Sequence, residues 1–257
     1  MKISAWAALA LYLMVMSSFI SGKHREVNCN SIVINITDSL QRQFIVSEDI
    51  EATLLSQDYA VLGKKLKTVN TKRAEEIILQ NSLVKQCRAY TTVDGKLNVE
   101  LSQKQPVIRL IDKNRKSVYV DIEGNLFEPS VRFSPLLVVA TGNFRIPKFI
   151  GGEVNILQVE DSLAWESIRN VFTLGSFISQ NEFWNAQIEQ IYINKKREIE
   201  LVPRIGPHLI KFGTIEDYEE KLYKLKLLYD EGLNRVGWNQ YLFIDLRFKD
   251  QIVCTRN

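Results

Sequence analysis

The sequence predicts an α+β protein with a single N-terminal transmembrane helix, a β-α-α-β-β domain, and a strand-rich β domain with flanking helices. Three observations predict it. Residues 3–22 form an uncharged, largely apolar run, residues 29–110 carry strand–helix–helix–strand–strand patterns, and apolar and polar residues alternate through much of the remainder. We expect the boundaries at residues 1–22 for the anchor, 28–111 for the first domain and 112–257 for the second.

The apolar run is long enough to cross a membrane. As a helix rising ~1.5 Å per residue, it would span a hydrocarbon core of ~30 Å. A cleaved signal peptide is the alternative, but its apolar core is ~7–15 residues long and it needs small residues before the cut. Cleavage after Ser21 would place Phe19 in one of those positions. We therefore expect a retained anchor. Cations flank both ends of the apolar run, so the positive-inside rule does not decide its orientation. We place the C-terminal body outside the cytoplasm because only Met1 and Lys2 precede the run.

Composition favours an ordinary globular body without a catalytic centre. The chain is 46% hydrophobic and 25% charged, and its net charge of +3 does not favour nucleic-acid binding. Cys29, Cys87 and Cys254 are too widely spaced for a disulfide framework or zinc site, although a Cys29–Cys87 bridge remains an alternative. The histidines, His24 and His208, offer no nucleophile–base arrangement. We predict no catalytic residue, metal site or cofactor.

The first domain shows its order through local patterns. Asp94-Gly95 indicates a type I′ hairpin turn, because such turns need positive φ at both central positions. Pro106 favours a bend or a sheet edge. The predicted elements are the strand Ile32–Ile36, two helices capped by Ser47 and Thr71, the extended segment Val84–Thr92, and a strand with Leu97, Val99 and Leu101 on its buried face.

The second domain is predicted to be mostly strands. A helix begins near Asp161, and another is opened by Thr214 and Asp217 and ends near Gly232. The predicted strands lie around residues 118–122, 136–140, 188–193, 198–202, 208–212, 241–248 and 251–255.

Several segments, in order, resemble one known family over nearly the whole chain. They are Asn81–Cys87 running into Gly95–Val99, Gln103–Arg109, Tyr119–Gly124, Val138–Gly142 and Ile244–Phe248. Behind one membrane helix, this order resembles the FtsQ family of bacterial cell division proteins, called DivIB in some lineages.

The resemblance implies a POTRA domain beside the inner membrane and a β domain after it, both periplasmic at the division septum. It implies a scaffold without catalysis or cofactors. Such a scaffold joins FtsB and FtsL, contacts other divisome proteins, and helps recruit and regulate the septal wall synthases.

The resemblance also points to partner-binding residues. Our hypothesis is that the last strand lies at a sheet edge and accepts a strand of FtsB. The corresponding positions are Phe248, Gln251, Ile252, Val253 and Cys254, and a basic position of the family falls near Lys196 and Arg197. Core packing is the alternative for Phe248, and a solvated turn is the alternative for the basic residues.

Two other functions are alternatives. A POTRA-bearing translocation or outer-membrane assembly factor would carry a β-barrel or repeated POTRA units, and the sequence shows neither. A membrane-anchored enzyme would have to use acids such as Asp121 or Asp245, which have no His, Cys or metal-ligand neighbour in sequence.

Overall fold

The computed structural model describes residues 11–12, 14–16, 27–38, 44–57, 59–130, 133–147, 154–159 and 162–256. The chain forms two compact units, Met1–Lys104 and Gln105–Asn257. The membrane helix predicted over residues 1–22 falls mostly outside the described residues. Within the part of the chain that the structure describes, no helix has the length and apolar character of a membrane span.

The first unit has the β-α-α-β-β order that the sequence predicts. Its middle strand is parallel to the first strand and antiparallel to the second. Two helices bury Ile50, Leu54 and Ile77 with the alternate strand residues Leu97 and Val99, all of them fully enclosed. The elements are β1 (Ser31–Ile36), α1 (Ser47–Ser56), a 3₁₀ turn (Leu66–Thr68), α2 (Thr71–Leu79), β2 (Val84–Thr91) and β3 (Lys96–Gln103).

The hairpin between β2 and β3 differs from the predicted type I′ turn. Only Gly95 has positive φ, at 89°. The Gly95 amide donates to the Thr92 carbonyl at 3.0 Å, and the Thr92 amide donates to the Lys96 carbonyl at 3.0 Å. The loop therefore has three residues, with glycine in the left-handed position, and this turn suits hairpins equally well.

The second unit is built on one mixed ten-stranded sheet. Its strand order is β13-β12-β11-β10-β9-β7-β4-β5-β6-β8. The strands are β4 (Pro106–Ile111), β5 (Ser117–Asp121), β6 (Asn125–Phe127), β7 (Val138–Gly142), β8 (Val154–Asn155), β9 (Ile188–Ile193), β10 (Ile199–Pro203), β11 (Leu209–Gly213), β12 (Tyr241–Asp245) and β13 (Val253–Arg256). The helices are α3 (Leu163–Gln180), α4 (Glu182–Gln187), α5 (Tyr218–Leu227), a π-helical segment (Leu228–Leu233) and α6 (Asn234–Val236).

The division between the units lies earlier than the sequence suggested. Strand β4 pairs with β5 and β7 in the centre of the second sheet. The first unit therefore ends at Lys104, whereas the sequence analysis extended it to residue 111. Pro106 is the first residue of β4, a position where a missing backbone N–H is tolerated in a central strand.

The helical crossover between β11 and β12 is longer than predicted. Asp217 begins α5 in a left-handed conformation, with φ of 53°, and its side chain does not cap the helix. Gly232 does not end the helix, because the π-helical segment and α6 continue it to Val236. Gly237, with φ of 96°, follows the last helical residue.

Gly142 allows two strands to approach closely at the end of β7. Its φ is 119°, and a Cβ there would lie 2.7 Å from the Ile193 nitrogen and 2.9 Å from its carbonyl carbon. The next amide, that of Asn143, donates to the Ile193 carbonyl at 2.7 Å. This contact fixes the last residue of β9, where the hairpin between β9 and β10 begins.

We predict that Gly142→Ala destabilises the second unit by about 2–3 kcal/mol, because the methyl group would meet backbone that cannot move aside. Gly124→Ala is the matched control: its φ is also positive, but only side chains of Asn155, Ile156 and Leu157 lie near the added Cβ. The control should cost about 1 kcal/mol, the strain of the backbone conformation. Urea unfolding measures both, and equal losses would contradict the proposed steric origin.

Candidate functional site

The last strand, β13, lies at the edge of the ten-stranded sheet. Among the described strands it pairs with β12 alone, in antiparallel register, with Val253 opposite Asp245 and Thr255 opposite Phe243. One side of its backbone therefore carries N–H and C=O groups that no described strand satisfies. Such an edge can take up an additional strand.

Side chains of the terminal segment alternate between solvent and core. Gln251 and Val253 are exposed, and Val253 keeps 39% of its surface accessible. Ile252 and Cys254 are half-buried and pack against the main hydrophobic core. The hypothesised docking residues of this segment thus form two groups. Ile252 and Cys254 pack the edge strand against the core, and Gln251 and Val253 face solvent.

Phe248 lies outside the strands, in a bend between β12 and β13. Its side chain is 44% exposed, whereas Leu246 two residues earlier is fully buried. Full burial in the core, the alternative left open for Phe248, is therefore wrong. The Lys224 ammonium on α5 donates to the carbonyls of Phe248, at 3.4 Å, and of Lys249, at 2.5 Å, which holds the bend in place.

Lys196 and Arg197 form the exposed tip of the hairpin between β9 and β10. The Asn194 side chain shapes this tip, since its Oδ1 accepts from the amides of Lys196, at 2.8 Å, and Glu198, at 3.0 Å. Arg197 has φ of 65°, the left-handed position that glycine usually occupies in such loops. The tip is therefore a turn with a fixed conformation, and with the neighbouring Lys195 it presents three cations to solvent.

Arg247 connects the end of β12 to the basic hairpin. Its Nε and Nη2 donate to the two carboxylate oxygens of Asp245 at 2.9 and 2.6 Å, and its backbone amide also donates to Oδ1 at 3.1 Å. Its Nη1 lies 3.6 Å from the Glu198 carboxylate. No role for Arg247 was predicted from the sequence. Its i, i+2 spacing from Asp245 is the one local signal, since such residues share a strand face.

Asp245 is nearly buried and therefore depends on these donors. The hydrogen bonds from the Arg247 side chain hold the pKa of Asp245 below its ordinary value, and the charge of Lys211 acts in the same direction. The same pairing raises the pKa of Arg247. The pair is thus ionised at neutral pH and functions as a structural link.

A groove of about 540 Å³ lies between the basic hairpin and Arg247. Its positive charges outnumber its negative ones, and the lining includes Lys195, Lys196, Lys211 and Arg247 with Glu198 and Glu200. This end of the sheet therefore suits a partner that carries acidic side chains.

The carboxylates considered for an enzyme have structural partners. Asp121 Oδ1 accepts from the amides of Glu123, at 3.0 Å, and Asn125, at 2.9 Å, which fixes the turn after β5. Among the described residues, no group of three or more His, Cys, Asp or Glu is placed to hold a metal ion.

All three cysteines are described, and all three are free thiols. The Cys29–Cys87 bridge, which the sequence left open, is therefore not formed. Burial, with a further contribution from the charge of Glu75, raises the pKa of Cys87 to about 11. A thiol with so high a pKa is a poor nucleophile at neutral pH.

These features define a class of protein: a small POTRA-like unit followed by a sheet unit with an open terminal edge. The sequence model of the POTRA-like domain matches residues 27–102. The model described as "FtsQ/DivIB, C-terminal related" matches residues 105–255, more than half of the chain. The chain belongs to this FtsQ/DivIB-related family, which is a family of non-enzymatic cell division scaffolds. No curated protein matches the chain.

We predict that Asp245→Asn lowers the free energy of unfolding by about 1–3 kcal/mol at pH 7, because it weakens charge-assisted hydrogen bonds. A carboxylate with a lowered pKa stabilises the fold fully above its unfolded pKa of about 3.9, and this stabilisation is lost as pH falls through the lower folded pKa. The difference between wild type and variant should therefore shrink below about pH 4. Urea titrations across pH measure it. Asp250→Asn, at an exposed position in the next loop, is the control, and a gap that stays constant at low pH would contradict the assignment.

Proposed function

We propose that this protein is a bitopic scaffold of the cell division complex. In this proposal residues 1–22 anchor it in the inner membrane, and its body lies in the periplasm at the septum. There it binds FtsB and FtsL through the second unit and helps recruit and regulate septal peptidoglycan synthesis. The open edge of β13 beside a basic hairpin, in a chain of an FtsQ/DivIB-related family, is the observation that supports it.

Strand addition is the proposed mode of docking. A segment of FtsB would pair with the outer side of Val253–Arg256, where the backbone groups face away from β12. The exposed side chains of Phe248, Gln251 and Val253 would contact the partner directly. Ile252 and Cys254 would act through their backbone while their side chains fasten the strand to the core.

The basic hairpin is proposed to contact acidic side chains of the same partner. Lys196 and Arg197 are exposed, and the left-handed conformation of Arg197 presents its side chain from a rigid turn. A guanidinium can bind a carboxylate through two parallel hydrogen bonds, which adds orientation as well as affinity.

The translocation and assembly alternative has no observation in its favour. A POTRA-like unit alone would fit either function, but the match of residues 105–255 to an FtsQ/DivIB-related domain supports the division role.

Co-purification of the full chain with the FtsB–FtsL pair tests the proposal. We predict that deletion of residues 251–257 abolishes the binding, because it removes the docking edge. A circular dichroism melt of the deleted chain serves as the folding control. Unchanged binding by the deleted chain would contradict docking at β13, and no binding by the intact chain would contradict the proposed partner.

A pair of proline variants locates the contact within the strand. Successive N–H groups of a strand point to opposite sides. The Leu246 amide donates to Lys211 on β11, so Asp245 faces β13 and its partner Val253 points its N–H inward to β12, whereas the Cys254 N–H points outward. We expect Cys254→Pro, which removes the outward donor, to lose FtsB binding while its melting temperature stays near wild type. Val253→Pro should melt lower, because it removes a hydrogen bond to β12. If both folded variants bind like wild type, strand addition is wrong.

Charge reversal tests the hairpin. We expect Lys196→Glu with Arg197→Glu to weaken FtsB–FtsL binding at least about tenfold, with less effect at high salt. Lys113→Glu with Arg115→Glu is the matched control. That loop has the same three-residue geometry, and Arg115 is also left-handed, with φ of 63°. Equal losses in both variants would assign the effect to net charge rather than to the hairpin.

A further inference from the structure

Two loops of the first unit flank the segment through which the chain enters β1. The amide of Cys29 donates to the Lys64 carbonyl at 2.8 Å, and the amide of Gly63 donates to the Cys29 carbonyl at 2.7 Å. On the other side, the Asn30 amide donates to the Gly95 carbonyl at 2.7 Å. Loop 61–67 and hairpin tip 92–96 therefore lie at the same end of the unit as residues 27–30.

This end is basic, with apolar side chains at its tips. We call it the basic end surface, and it comprises Leu62, Lys64, Lys65, Lys67, Val93 and Lys96. All six residues are exposed, with Leu62 at 55% and Val93 at 67% of their accessible surface. Between Tyr59 and Ala74 the sequence has five cations and no carboxylate. The nearby Asp94 lies 2.7 Å from the Lys96 ammonium.

The surface lies a short chain distance from the apolar run. Val27 follows Gly22 by five residues, which extend over at most about 18 Å. The amide of Leu66 donates to the Val27 carbonyl at 2.9 Å, so the basic loop is fastened directly to this segment. If the proposed anchor spans a bilayer, the basic end surface lies beside its headgroups.

We propose that the basic end surface binds anionic phospholipid headgroups of the bilayer that holds the anchor. The lysines meet lipid phosphates, and Leu62 and Val93 enter the boundary between headgroups and acyl chains. Lysine clusters are attracted to anionic membranes within a Debye length of about 8 Å. Exposed apolar side chains next to lysines suit this interface, because each finds its preferred medium within a few ångströms. A purely acidic protein partner would offer no apolar contact to Leu62 and Val93.

Lysine footprinting of the full chain in nanodiscs tests the contact. Acetylation rates are measured by mass spectrometry in phosphatidylcholine alone and in a mixture with phosphatidylglycerol. We expect Lys64, Lys65, Lys67 and Lys96 to react about fivefold more slowly in the anionic bilayer, and high salt to remove the protection. The exposed residues Lys113 and Lys249 of the second unit are internal controls and should not change. Equal rates in both bilayers would overturn the proposal.

A triple variant distinguishes binding at the basic end surface from a general effect of net charge. Lys64→Gln, Lys65→Gln and Lys67→Gln together should abolish the protection of Lys96. The control Lys113→Gln, Arg115→Gln and Arg235→Gln changes the net charge equally and should keep it. Protection that needs added FtsB–FtsL, and not phosphatidylglycerol, would assign the surface to a protein and overturn the proposal.

The inference rests on the proposed anchor, and flotation tests that part independently. A chain that floats with phosphatidylcholine vesicles and resists a high-salt wash supports the anchor. A chain that floats only with phosphatidylglycerol vesicles, and loses this binding in the triple lysine variant, refutes the anchor but supports the surface.

Discussion

The parallel pairing of β11 with β12 determines how the second unit ends. Parallel neighbours cannot be joined by a tight turn, so the chain must cross over one face of the sheet before β12 begins. Helices from Tyr218 to Val236 make this crossover and bury Leu222, Leu225 and Tyr229 in the core. The chain that leaves β12 can then turn back only on the outer side, which places β13 at the edge. The open edge is thus a consequence of topology.

Arg247 joins the β13 edge and the hairpin between β9 and β10, which are far apart in sequence, into one surface. It holds Asp245 through three hydrogen bonds and reaches Glu198 across the groove, while Lys224 fixes the bend that follows. The groups that could meet a partner are therefore carried by elements with little freedom to move. Binding to such a surface costs less conformational entropy than ordering a loose loop, and this favours specific recognition from a small contact area.

Local patterns predicted the first unit well, because alternation at Leu97, Val99 and Leu101 identifies a strand with one buried face. Local patterns do not predict which segments pair over long distances in sequence. Periodicity does not say which sheet a segment joins, so residues 105–111, where no separate strand was predicted, were included in the first domain. Gly232 looked like a helix end, yet packing of the surrounding residues continues the helix through a π segment. The edge position of β13 was anticipated from family resemblance, whereas the link from Arg247 to Glu198 depends on residues 49 positions apart (247 − 198) and leaves no local signal.

The dimensions of β13 bear on what happens before any partner arrives. An unpaired strand is a template for other copies of the same chain, and long, flat, apolar edges promote aggregation. This edge has four residues, ends with the exposed cation Arg256, and meets β12 with an irregularity between Tyr241 and Phe243. Two such edges brought together would gain few hydrogen bonds. A short edge of this kind therefore disfavours self-association, and a longer, complementary segment would gain more from pairing with it.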